Sequence, residues 1–178
     1  MQDLQGLSGH ISEALQLLPS PGPTGGTYPT WRYDQLITAL SSYRREFPLN
    51  RRLYIVLGRL YRYRNGDYTT AIGVLKEFVA NKKTAHQEDN DVSDALFNIA
   101  CYNSLLMEKS ADPAALRSFE EDGANAMRES IRIHHGNLDG FLHDDDLKTL
   151  RESDLGKAIA NQFGPKPANT QTTQTPGN

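Results

Sequence analysis

The spacing of apolar residues constrains the fold of this chain more than any other feature. Apolar side chains recur at steps of three and four residues in successive segments, which places them on one face of an α-helix. The first segment shows this with Leu4, Leu7, Ile11, Leu15 and Leu18. No stretch alternates apolar and polar residues for long enough to build a sheet. The sequence therefore predicts an all-α fold.

Proline, glycine and capping residues predict where the helices begin and end. The first helix is predicted to end at Pro19, because residues 19–30 contain four prolines and three glycines and read as a loop. Thr30 is predicted to cap a second helix that carries apolar positions as far as Phe47 and stops at Pro48. Asn65-Gly66 favours a turn, and Asp112-Pro113 favours a helix start. The later helices are predicted at about residues 51–64, from 67, 92–109 and 113–133.

Composition limits the class of protein. The 178 residues are 38% hydrophobic and 23% charged, which is typical of a globular domain. We expect a helical domain over residues 1–164 and a disordered polar tail over residues 165–178, where apolar residues are almost absent. No segment approaches the roughly 18 apolar residues of a membrane span. The N-terminus lacks a secretory pattern, so a cytoplasmic location is predicted.

A degenerate repeat is visible in the middle of the sequence. Residues 54–61, YIVLGRLY, follow the pattern W-x-x-L-G-x-x-Y with tyrosine in place of tryptophan, and residues 71–78, AIGVLKEF, follow as a second helix. Residues 95–106, ALFNIACYNSLL, contain a second copy in which Ala100 stands where Gly58 stood. Both copies resemble the tetratricopeptide repeat (TPR). Residues 145–151 are similar to the short helical segment that often follows the last such repeat.

The resemblance implies a right-handed α-solenoid fragment of stacked antiparallel helical hairpins, best supported over residues 48–133. Gly58 and Ala100 are farther apart than the usual period of about 34 residues, so an inserted loop is expected at residues 82–90. The sixth helix is expected to pack irregularly, because three of its residues are unusual for this family, namely Gly123, Met127 and Ser130. The helices before Pro48 resemble an earlier repeat with an atypical loop.

The resemblance also implies a concave groove that binds a peptide or protein partner. The groove-facing positions would be Arg52, Ile55, Arg59, Arg62, Tyr63, Asp94, Phe97, Asn98, Cys101 and Ser104. Three of these are arginines at steps of seven and three, and guanidinium groups suit the binding of carboxylates. We expect a ligand with acidic groups beside an apolar anchor. Alternatively, the arginines form a solvated face that pairs with the acidic C-terminal half.

Some family members hold acidic chaperone tails in a two-carboxylate clamp. Asn98 matches one polar position of that clamp, but Ile55 stands where the clamp has lysine and Arg59 where it has asparagine. The same specificity is therefore not predicted.

Other chemistry is weakly indicated. Adjacent His134 and His135 diverge by about 100 degrees on a helix and lack the spacing of zinc ligands, so no metal or cofactor is predicted. The aspartates after His143 are expected to start a helix. Cys101 has no charged base at helical spacing and is expected to be a small apolar residue. Tyrosines among arginines can stack on the bases of a single-stranded nucleic acid, but the net charge of -3 argues against a general nucleic-acid binder.

These observations predict a non-enzymatic interaction module, an adaptor or scaffold. Two alternatives stay open. One is a regulatory or sensor subunit that controls an associated enzyme in a larger signalling or protease assembly. The other, which the residues favour least, is a metal-dependent hydrolase.

Overall fold

The computed structural model describes residues 4–18 and 29–164. Within them the chain is helical and contains no strand, so the all-α prediction is confirmed. The helices are α1 Leu4–Leu17, α2 Thr30–Ser42, α3 Arg51–Asn65, α4 Tyr68–Thr84, α5 Asn90–Lys109, α6 Pro113–Ile133, α7 Asn137–His143, a 3₁₀ turn Asp145–Leu147, α8 Lys148–Glu152 and α9 Asp154–Phe163. The predicted tail and most of the predicted loop at residues 19–30 lie outside the described residues.

Several helix ends were predicted correctly because their signals are local. Gly66 adopts a left-handed conformation with φ 72°, which ends α3 at the predicted turn. Asp67 accepts a hydrogen bond from the Thr70 amide at 3.0 Å and so caps α4. Asp112 accepts from the Ala114 amide at 3.1 Å, with Pro113 as the first helical residue of α6.

Two predicted boundaries in the N-terminal half were wrong. Thr30 is the first residue of α2 rather than its cap, and Pro29 at the cap position makes no side-chain hydrogen bond to the helix. The helix ends at Ser42 instead of Phe47, because the Tyr43 and Arg44 amides bond to carbonyls three residues back, those of Leu40 at 3.1 Å and Ser41 at 3.3 Å, which breaks the α-helical pattern.

The loop predicted at residues 82–90 is shorter in the structure. Helix α4 continues to Thr84, and α5 already begins at Asn90. Lys82 explains the difference, because it is only 4% exposed and its ammonium lies 2.9 Å from Asp89 and 3.2 Å from Asp91. A buried charge needs such partners, so this contact fixes the connection between α4 and α5.

Helices that are neighbours in the chain pack against each other from α1 to α6. Helix α1 also contacts α3, and the segment from α7 to α9 packs on α5 and α6. A single cluster of buried apolar side chains connects α1 to α9. No helix among the described residues is long and apolar enough to cross a membrane.

Two of the unusual residues of α6, Gly123 and Ser130, lie against the C-terminal segment. A side chain at Gly123 would meet Asn103 at 3.0 Å and Leu150 at 3.4 Å, so glycine allows α5 and α8 to approach. The buried Ser130 hydroxyl donates to the Ser93 carbonyl at 2.8 Å. The Asn137 amide donates to both serine hydroxyls, at 2.9 Å for Ser93 and 2.7 Å for Ser130. The buried polar groups are thus satisfied, and they attach α7 to α5 and α6.

Gly58 provides a test of the packing between α3 and α4. A Cβ atom added there would lie 3.5 Å from Leu75 Cγ, which is ordinary contact distance. We expect Gly58→Ala to fold with unchanged or slightly higher stability, because alanine favours helix. Gly58→Leu should overpack the interface and lower the free energy of unfolding by about 1 to 3 kcal/mol. Urea denaturation measures both, and equal stability of the leucine variant would contradict close packing at this position.

Candidate functional site

The first two arginines of α3 point toward different neighbours. Arg51 faces α5, where its guanidinium lies 2.5 Å from Asp94 and 3.6 Å from Asp91. Arg52 is exposed and lines a crevice between α3 and α1. Successive residues of a helix are separated by about 100 degrees, which explains the divergence.

A recess of about 240 Å³ lies where α3, α5 and α7 meet. It is lined by Arg51, Asp94, Phe97, Asn98, Gly136, Asn137 and Gly140. Three predicted groove residues, Asp94, Phe97 and Asn98, therefore come together here. The prediction missed Arg51, although it stands four residues before Ile55 and so shares its side of the helix. It also missed the contribution of α7, which depends on tertiary packing.

Phe97 and Asn98 form the α5 wall of this recess. A Cβ atom on Gly140 would lie 2.9 Å from the Phe97 ring, so the absence of a side chain lets α7 approach the ring closely. The Asn98 amide nitrogen donates to the Asp94 carbonyl at 2.8 Å, a bond that does not use the Asn98 side-chain oxygen. Both side chains are only partly buried. The recess thus offers an aromatic ring beside a hydrogen-bond acceptor.

Arg62 is held by the C-terminal segment. Its guanidinium forms a two-bond ion pair with Asp146 of the 3₁₀ turn, one N–O distance being 3.0 Å, and its side chain is only 25% exposed. Burial by itself lowers the pKa of Arg62, but the hydrogen bond and charge of Asp146 outweigh it and raise the pKa above its usual range. Arg62, predicted to face the groove, thus pairs with the fold's own C-terminal segment. For this residue the alternative of pairing with the acidic C-terminal half describes the structure.

The C-terminal half of α5 is covered in the same way. Cys101 is 4% exposed, and burial raises the pKa of its thiol well above the ordinary value, with Asp144 and Asp146 adding to the effect. Ser104 is fully buried and accepts a hydrogen bond from the Leu150 amide at 3.1 Å. These two residues, predicted to face a groove, are instead buried, and Ser104 bonds to the fold's own C-terminal segment.

The remaining predicted positions on α3 are Ile55, Arg59 and Tyr63, and all three are partly buried. The Arg62 guanidinium lies 5.3 Å from the centre of the Tyr63 ring. Among the described residues, no group of three or more histidine, cysteine, aspartate or glutamate side chains is arranged to hold a metal ion. The Asp144 carboxylate accepts from the Asp146 amide at 2.9 Å, as expected for aspartates that start a helix.

The ion pair between Arg62 and Asp146 should stabilise the fold. Arg62→Glu would place two carboxylates together in a partly buried site, and we expect the free energy of unfolding to fall by about 1 to 3 kcal/mol. Arg117→Glu, on the exposed surface of α6, makes the same charge change and should shift stability little. Chemical denaturation compares the two variants. If both variants lose the same free energy of unfolding, or if neither loses any, the ion pair does not stabilise the fold.

No protein-family model, curated protein or solved structure matches this chain. The fold itself defines the class, which is that of all-helical proteins with consecutively packed helices. Its resemblance to tetratricopeptide repeats depends on the residue patterns described above and stays a prediction.

Proposed function

We propose that this protein is a non-enzymatic interaction module, similar to a tetratricopeptide-repeat adaptor, that binds a peptide or protein partner on the face formed by α3, α5 and α7. The observation that carries the proposal is the recess at this junction. It brings three residues selected from the repeat pattern into one concavity with Arg51, which is 42% exposed on its side chain.

The recess suits a side-chain anchor better than a small metabolite. At about 240 Å³ it is smaller than typical small-molecule sites of roughly 300–1,000 Å³. Its Phe97 ring provides apolar contact, and aromatic side chains and arginines are common binding hot spots. A partner carboxylate would compete with Asp91 and Asp94 for Arg51, since these three side chains are all partly exposed. We therefore infer a ligand that combines an acidic group with an apolar side chain.

The proposal that the protein is not an enzyme is supported by where the described groups with shifted pKa values lie. The raised pKa of the Cys101 thiol disfavours the reactive thiolate, and burial raises the pKa of Tyr102. The other shifted groups, apart from the buried Tyr54 hydroxyl, are members of ion pairs such as Lys82 with Asp89. Among the described residues these groups lie in the core or in ion pairs between or along helices, in contrast to the poised acids and bases of an active site.

Affinity capture with the intact chain, followed by mass spectrometry, would identify a partner, and titration with the purified partner would test the site. Arg51→Glu should weaken binding at least tenfold, because it reverses the charge beside the recess. Arg117→Glu is the matched control and should bind like wild type. A partner that binds the Arg51→Glu variant with unchanged affinity would exclude this face. If the partner is an enzyme whose activity changes on binding, the regulatory-subunit alternative is supported instead of an adaptor.

A further inference from the structure

A second concavity lies between α1 and α3, about 190 Å³ in volume. It is lined by Leu4, Leu7, Ser8, Ile11, Ser12, Leu15, Asn50 and Arg52. Four of these are apolar residues of α1 at steps of three and four, so they form one stripe along the helix. We call this concavity the α1–α3 crevice.

The apolar wall of the crevice is only partly covered. Leu7 and Ile11 are buried, but Leu4 is 66% exposed and Leu15 is 44% exposed. Leu4 and Leu15 are separated by about 16 Å along α1, so they expose apolar surface at the two ends of the stripe, with the buried Leu7 and Ile11 between them. Burying that surface would favour the association of another apolar group.

The charge of the crevice is one-sided. Of the described residues that line it, Arg52 alone carries a charge, and no described carboxylate lies within ion-pair distance of its guanidinium. The neighbouring arginines differ, since Arg51 is paired with Asp94 and Arg62 with Asp146. The Arg52 guanidinium has donors in a planar fork that fits a carboxylate.

We propose that the α1–α3 crevice binds a large apolar side chain of a peptide partner, while a carboxylate within a residue or two of that side chain pairs with Arg52. This inference rests on the proposed function and extends it, because it adds a second anchor point on the α1 side of α3. Apolar burial provides the affinity, and the carboxylate selects the sequence around the anchor.

A peptide fits the crevice better than a second copy of the chain does. The crevice is lined by eight of the described residues, whereas each side of a stable protein–protein interface generally has roughly 20–30 residues. The single positive charge is complementary to an acidic segment.

The test uses a display library of random twelve-residue peptides selected on the immobilised intact protein. Enriched peptides should carry leucine, isoleucine, methionine or an aromatic residue within two positions of aspartate or glutamate. Individual synthetic peptides are then titrated against wild type and variants. Leu15→Ser and Arg52→Glu should each weaken binding at least tenfold, Arg52→Lys should weaken it less, and Arg117→Glu should have no effect. Added salt should reduce the affinity, because Arg52 is exposed to solvent.

The outcomes separate this inference from the function on which it rests. Peptides that respond to Arg51→Glu but bind the Leu15→Ser and Arg52→Glu variants like wild type would overturn the crevice and leave the interaction module standing. Failure to enrich any peptide over the empty support would overturn the crevice, whereas the interaction module is tested separately by the affinity capture described above. A dimer in sedimentation experiments that Leu15→Ser dissociates would show that a second copy occupies the crevice, and would also overturn the inference. Because Leu15 and Arg52 are exposed, the variants should keep the wild-type melting temperature.

Discussion

Gly156→Ala is expected to lower the free energy of unfolding by about 3 kcal/mol or more, at the upper end of the range for overpacking. A Cβ atom at this position would lie 1.9 Å from the Leu150 carbonyl oxygen and 2.8 Å from the Arg151 Cα. Both atoms belong to the backbone of α8, so no side chain can rotate away to relieve the clash. Helix α9 would have to move off α8.

Gly73→Ala is the matched control for this substitution. An added Cβ atom there meets no atom within 4 Å, and the residue lies inside α4. Since alanine favours helix over glycine by about 1 kcal/mol, this variant should be equally or more stable than wild type. Urea denaturation followed by circular dichroism measures both. A Gly156→Ala variant as stable as Gly73→Ala would show that α8 and α9 do not meet at this close distance.

Phe141→Ala is expected to cost about 3 to 5 kcal/mol, as is usual for removing a fully buried aromatic ring. Phe141 has no exposed surface, and its carbonyl accepts a hydrogen bond from Arg151 at 2.9 Å. Leu142→Ala, one residue further along α7, removes a partly buried side chain and should cost clearly less. Thermal denaturation compares the pair. If the two losses are equal, or if Phe141→Ala is neutral, α7 is not part of the core.

The glycine and phenylalanine variants together test the position of the C-terminal segment. In the structure this segment bonds to Ser104 and pairs with Arg62, so it restricts access to the groove that the repeat pattern predicted on α5. The accessible part of that face is its N-terminal half, where Arg51 and Phe97 lie. The proposed binding site is limited to this N-terminal half because the C-terminal segment occupies the rest of the face.

Features set by neighbouring residues were predicted well from the sequence. The start of α6 at Pro113 and the turn at Gly66 follow from capping and backbone preferences that act within a few residues. The apolar periodicity likewise identified the helices, because a helix that buries one face carries apolar residues at steps of three and four. These signals explain why the fold class was correct.

Features set by distant residues were missed. Arg62 and Asp146 are separated by 84 positions, and no local pattern indicates that they pair. Lys82 was placed in a loop because the two repeat copies are unusually far apart, yet two aspartates across the turn allow it to be buried at the end of α4. The side toward which Arg51 and Arg52 point depends on how α1 and α5 flank α3. Helical spacing constrains that choice but does not decide which side a partner uses.

Hydrogen exchange of the complex with a captured partner tests the central claim most directly. The proposal predicts slower amide exchange in α3, in the N-terminal half of α5 and in α7, extending into α1 if the crevice is used, with little change in α4 and α6. A cleft between α4 and α6, lined by Lys76, Val79, Asp122 and Asn125 and also by Leu96 and Ile99 of α5, provides the contrasting outcome. Protection of α4 and α6, with α3 and α7 exchanging as in the free protein, would contradict the proposed binding face.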